Sequence, residues 1–164
     1  MPNKPLTVKD PEFKALVKQK TKLWRELDES RAQHPGLDHI QDQWGTYVPM
    51  DKVEKLLDVM DQLAEVDDKD ESRGSRYSRA ALLLTLNLLD QAEKEFKLLV
   101  DQNPGETSWS AGLAIIAARR GELEEARRIA TIVNTSQHVW FHMPEEKIME
   151  EFERHSRLKK PSQS

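Results

Sequence analysis

A 34-residue repeat in the second half of this 164-residue chain constrains its fold more than any other feature. The segment NLLDQAEKEFKLL begins at Asn87, and a similar segment, GELEEARRIATIV, begins at Gly121. The same offset pairs further small residues, Ala92 with Ala126 and Ala80 with Ala114. A repeat of this length indicates stacked supersecondary units, because a single unit cannot bury its own apolar face.

Helical patterns also dominate the first half of the chain. A helix over about residues 11–33 is expected, since Pro11 suits a first turn and Pro35 disfavours helix in the residue before it. Residues 36–49 are expected to form a loop. A second helix is expected over about 51–65, with one apolar face made of Val53, Leu56, Leu57, Met60, Leu63 and Ala64.

A run of charged and small residues over 67–75 predicts a solvated, mobile linker after this N-terminal segment, which spans residues 1–66. At the other end, Pro144, Glu145 and Glu146 suit the first turn of a last helix. We predict a capping helix within residues 139–158 and a frayed tail over 159–164.

The two copies of the repeat share a set of diagnostic positions. Positions 8, 15, 20, 24, 27 and 32 of the first copy hold Ala80, Asn87, Ala92, Phe96, Leu99 and Pro104. Positions 7, 8, 15, 20 and 27 of the second copy hold Leu113, Ala114, Gly121, Ala126 and Val133. The second copy departs from the pattern with Ala130 at position 24 and His138 at position 32. At position 4 the first copy has Arg76, and in the second copy Trp109 lies one place early.

This pattern resembles the tetratricopeptide repeat, with two degenerate copies over about residues 73–138. The resemblance implies an all-α fold in which antiparallel helix pairs stack as a short right-handed solenoid, with the two helix pairs within residues 76–138. The N-terminal helices and the C-terminal helix would cover the open ends of this stack.

In this repeat family, ligands usually lie in a concave groove lined by the first helix of each pair. The corresponding residues here are Tyr77, Ala81, Leu84, Thr85, Ala111, Ile115 and Arg119. Most of them are apolar, so the groove suits an apolar guest rather than an acidic tail. The guest is either an amphipathic or extended segment of another protein or the chain's own N-terminal helix.

The function predicted from these residues is therefore that of a protein-interaction module or adaptor. A small regulatory or chaperone-type subunit that self-associates through the same surface is the alternative. No phosphate loop, nucleophile motif or cysteine is present, so we expect neither catalysis nor a cofactor. His138 and His142 lie four residues apart, but Pro144 indicates a turn, so no metal site is expected.

The first helix carries the main cluster of positive charge, with Lys14, Lys18, Lys22 and Arg25 on one side. A peripheral membrane adaptor that uses this helix is a third hypothesis, although membrane binding is not our leading expectation. The net charge of −4 argues against nucleic acid as a partner. The first residues lack the apolar core of a secretory signal, which indicates a cytoplasmic location.

Overall fold

The computed structural model describes residues 5–135 and 142–159, with side chains as far as residue 154. Within these residues the chain is mostly helical, as expected for an all-α protein. The helices are α1 Pro11–Glu29, α2 Met50–Ala64, α3 Lys69–Thr85, α4 Leu89–Gln102, α5 Ser110–Arg119, α6 Leu123–Asn134 and α7 Glu145–Lys159, and a 3₁₀ turn at Thr107–Trp109 precedes α5. Among the described residues, no helix is both long and apolar enough to cross a bilayer.

The chain divides into two compact units, Met1–Asn87 and Leu88–Ser164. In the first unit, α1 and α3 both pack on α2. The α2 residues predicted to share an apolar face are all buried, and the α1 residue Leu16 contacts Val59 and Leu63. The N-terminal helix therefore has its packing partner on α2.

An antiparallel hairpin, with strands β1 His39–Gln41 and β2 Tyr47–Pro49, replaces the loop that was expected over 36–49. Val48 on β2 is fully buried, and Gly45 adopts a φ of 85° in the connecting turn. The hairpin also explains why α1 ends at Glu29 instead of near residue 33. Beyond the helix, Ala32 exchanges two backbone hydrogen bonds with Tyr47, both 2.9 Å long.

Residues 69–75, expected to belong to a mobile linker, form the first turns of α3 instead. Asp68, within the charged run, caps the start of α3, because one of its carboxylate oxygens accepts the Glu71 backbone N–H at 3.0 Å. Asp70 and Glu71 lie in the first turn, where negative charge is favourable. The hydroxyl of Ser72 also donates to the Ala64 carbonyl, which ties α3 to the end of α2.

In the second unit, α5 is the central helix and packs against α4, α6 and α7. Small residues allow the close approach: Ala114 and Ala126 are fully buried. A Cβ atom at Gly112 would come within 2.5 Å of the Phe96 ring, so only glycine fits beneath this side chain. The α7 residue Ile148 joins the same core.

The 34-residue offset recurs in the backbone conformation of two turns. Asn87 and Gly121 both have positive φ, 59° and 82°, a conformation that asparagine and glycine tolerate best. The residues after them, Leu88 and Glu122, have φ and ψ of −84° and 69° and of −88° and 67°. α4 and α6 then begin 34 residues apart, at Leu89 and Leu123. Buried residues follow the same interval at Ala80, Ala114 and Ile148.

The C-terminal helix was expected within 139–158, and the described part of it begins at Glu145. Asn134 holds the segment before it, because its side chain donates to the Met143 carbonyl at 3.0 Å and accepts the Met143 N–H at 2.7 Å. Residues 160–164 of the expected tail lie outside the described residues, as does His138.

Candidate interaction surface

Four of the seven predicted groove residues lie on α3, in the first unit. Tyr77 is 45% exposed, and Ala81, Leu84 and Thr85 are half-buried. The spacing of Tyr77, Ala81 and Leu84 places them on one face of the helix. At the end of this face, the Thr85 carbonyl accepts the Gln43 backbone N–H at 2.7 Å, so the hairpin contacts the last turn of α3.

The other three predicted residues lie on α5, in the second unit, and they are less accessible. Ala111 is 4% exposed, and Ile115 packs against the core of this unit. Arg119 is 2% exposed, and its Nε donates to a Glu151 carboxylate oxygen at 2.7 Å. The α7 helix thus covers the position at which the sequence pattern placed a ligand-binding side chain.

Glu151 is buried and pairs with three cations. Besides Arg119, the Lys147 ammonium and the Arg154 guanidinium lie 3.1 Å and 3.0 Å from its carboxylate. Burial raises the pKa of Glu151, but the hydrogen bond and charge of Arg119, aided by Lys147 and Arg154, outweigh burial and hold the pKa of this carboxyl below its usual range. This cluster fixes α7 on α5 and has no vacant cation for a ligand carboxylate.

A different surface of the second unit is open. Residues of α4, α5 and α6 line a depression of about 280 Å³, which we call the α5–α6 depression. Its less exposed members, Leu113, Ala117 and Ile129, are apolar, and Ile132 beside them is 44% exposed. Charged side chains complete the lining: Glu93, Lys97, Glu122, Glu125 and Arg128.

The charges around this depression are mostly paired with one another. Lys97 lies 3.2 Å from Glu93, and Arg128 lies 2.5 Å from Glu125. Because these charges pair with one another, they form a polar border around the depression and do not create a strong net electrostatic potential there. Apolar surface inside such a border is typical of a protein-binding site.

In the first unit, Asp42 organises a second polar cluster at the hairpin turn. It is fully buried, and its Oδ1 accepts the backbone N–H groups of Trp44 and Thr46 at 2.9 and 3.0 Å. Its Oδ2 accepts from the Thr46 hydroxyl and from Arg31, whose guanidinium carbon lies 5.0 Å from the centre of the Trp44 ring. The cluster fixes the turn and leaves Trp44 60% exposed.

In the described part of the chain, no group of three or more His, Cys, Asp or Glu side chains is arranged to hold a metal ion. His142 is exposed, and its predicted companion His138 is not among the described residues.

No protein-family model, curated protein or solved structure shows significant similarity to this chain. The resemblance to tetratricopeptide repeats therefore rests on the residues quoted above and is not supported by any relative.

Proposed function

We propose that this chain is a non-catalytic protein-interaction module that binds an amphipathic helix or extended apolar segment of another protein. The observation that carries the proposal is the α5–α6 depression, where Leu113, Ile129 and Ile132 lie together inside a charged border. Helix-in-groove recognition needs such a row of apolar contacts. The binding energy then concentrates in a few anchors, and exposed Ile132 is the best placed of them.

The repeated turn geometry supports a tetratricopeptide-like arrangement of the helix pairs. Two turns 34 residues apart share their backbone conformation, and small residues are buried at equivalent positions. Proteins built from such helix pairs present extended surfaces to partners. A fold alone does not determine a function, so the assignment of a binding role depends on the depression itself.

A photo-crosslinking experiment tests the proposal. The photoreactive residue benzoylphenylalanine replaces Ile132 in the full chain. The variant chain is then irradiated in an extract of the cells that express it. The matched control places the same group at Leu98, which is 43% exposed on α4 and does not line the depression. We expect one dominant covalent adduct from position 132 and not from position 98, and competition of that adduct by the unlabelled chain.

The adduct also separates the proposal from its alternative. An adduct with a different protein supports the interaction module. An adduct with a second copy of this chain would favour the self-associating subunit instead. Equal labelling from both positions, or none from position 132, would contradict a binding role for the depression.

A further inference from the structure

A row of positive charge runs along the solvent side of α1. Lys14, Lys18, Lys22 and Arg25 are spaced by four, four and three residues, which places them on one face of the helix. We call them the basic stripe. All four side chains are exposed, and the row is about 16 Å long at the rise of an α-helix.

The cations of the basic stripe make no close ion pairs with described residues, and the exposed carboxylates Asp28 and Glu29 lie beyond its last member, Arg25. None of its four cations forms an ion pair with any described residue, and the sequence has no carboxylate between Glu12 and Glu26. Cations of the second unit behave differently, since Lys97, Arg120 and Arg128 each contact a carboxylate. In a chain of net charge −4, an uncompensated row of cations is a local exception.

An apolar edge borders the basic stripe on one side. Val17 and Trp24, seven residues apart, are 36% and 38% exposed, and helical geometry places them between the stripe and the buried face. That buried face, with Leu16 and Leu27, already packs inside the first unit. The accessible surface of α1 therefore combines a cationic row with two apolar anchors.

We propose that the basic stripe docks an acidic helical segment of another protein, whose carboxylates face the cations and whose apolar residues contact Val17 and Trp24. Charge complementarity supports this occupant. An anionic membrane fits less well, because the main apolar face of α1 packs on α2 and cannot insert.

The test measures binding of the full chain to a fluorescein-labelled helical peptide composed of Glu, Ala and Leu, by fluorescence anisotropy. The stripe variant carries Lys14→Gln, Lys18→Gln and Lys22→Gln. The matched control carries Lys55→Gln, Lys69→Gln and Lys94→Gln, which remove the same charge from exposed positions elsewhere. Circular dichroism of both variants verifies that their helical content equals that of the parent.

We expect the stripe variant to bind the peptide about tenfold more weakly, since three exposed ion pairs are lost together. The control variant should change binding less than about twofold, and added salt should weaken the parent more than the stripe variant. Trp24→Ala should weaken binding about fivefold by removing an anchor.

Three outcomes would overturn the proposal. One is the absence of peptide binding by the parent chain. Another is an equal loss in the stripe and control variants, which would show a bulk charge effect. The third is stripe-dependent binding to phosphatidylserine vesicles or duplex DNA without binding to the peptide. These results do not depend on crosslinking at position 132, so this proposal and the proposed function can fail separately.

Discussion

At the scale of single residues, two positions of the repeat tolerate no larger side chain. Ala92 and Ala126 are fully buried 34 residues apart, at the second turns of α4 and α6. Both helices start after a turn of the same backbone conformation, so Ala92 and Ala126 hold equivalent positions along their helices. At each position, the close packing therefore favours a small side chain.

Ala92→Leu and Ala126→Leu should each lower the free energy of unfolding by about 1–3 kcal/mol, because added methylene groups overpack a dense core. Gln91→Leu is the control, since it introduces the same side chain at an exposed neighbouring position. Chemical denaturation of the three variants measures the effect. If the denaturation curves of Ala92→Leu and Ala126→Leu coincide with the parent curve, the predicted repeat register is wrong.

Glu151 is a second decisive residue, because its charge compensates buried Arg119. Glu151→Gln should cost about 3–5 kcal/mol of unfolding free energy, because it removes the negative charge that faces the buried Arg119 guanidinium at 2.7 Å. Glu150→Gln on the same helix is the control: its partner contact, to Arg154 at 3.0 Å, is exposed and is worth less than about 1 kcal/mol. Equal melting temperatures for the two variants would mean that the buried pair does not hold α7.

The same carboxylate gives a dependence on pH. The pKa of Glu151 in the folded chain is lowered from its ordinary value, so its contribution to stability is present above the pKa of the unfolded chain. That contribution is lost as the pH falls through the folded pKa. We therefore expect the stability difference between the parent and Glu151→Gln to be constant near neutral pH and to shrink below about pH 4. Denaturation curves at several pH values measure it, and a difference that is unchanged in acid would contradict the assignment.

At the scale of secondary-structure elements, the hairpin depends on one buried carboxylate. Asp42 accepts two backbone N–H groups and two side-chain donors, and Gly45 completes the turn. No core of its own stabilises so short a two-stranded sheet. The hairpin is therefore stabilised by this hydrogen-bond network, by the burial of Val48 and by the pairing of Tyr47 with Ala32.

Asp42→Asn should destabilise the chain by about 1–3 kcal/mol, because an amide offers fewer acceptor sites to the same donors. The fluorescence of exposed Trp44 should change as the turn loosens. Asp38→Asn removes an equal charge nearby and should be neutral, since Asp38 is exposed with a φ of 57° that asparagine adopts readily. A native-like spectrum and stability for Asp42→Asn would show that the network is not needed.

The elements with a strong periodic pattern were predictable from the sequence. The apolar face of α2 and the turns at Asn87 and Gly121 depend on local spacing and on residues that tolerate positive φ. The hairpin was not predictable in the same way, because its strands have three residues each and its key contact joins Arg31 to Asp42. The charged run at 67–75 was misinterpreted because capping carboxylates and solvated linkers have the same composition.

The candidate site was less predictable than the fold. The repeat pattern placed Arg119 in a groove, but its partner Glu151 lies 32 residues away, and no local pattern marks that pairing. The α5–α6 depression was missed because Leu113, Ile129 and Ile132 come from two helices, and each fits an ordinary core stripe. Ile132, at 44% exposed, departs furthest from burial among them, and exposure is not a property of the sequence alone.

At the scale of the whole molecule, each compact unit offers its own candidate binding surface. The first has the α3 face with Tyr77, Ala81 and Leu84, and the second has the α5–α6 depression. Crosslinking at position 132 tests only the depression, so the α3 face needs a change of its own.

Tyr77→Ser should weaken binding of a partner that uses the α3 face by about 2 kcal/mol, close to thirtyfold, because exposed aromatic anchors carry much of the energy of an interface. Its effect on folding should stay near or below about 1 kcal/mol, since the side chain is already 45% exposed. Calorimetric titration measures the binding, and a thermal melt of the same sample measures the stability. Ile115→Ser is the informative contrast: Ile115 packs on the core of the second unit, so its loss should lower stability first. Unchanged binding by Tyr77→Ser would exclude the α3 face as a binding surface.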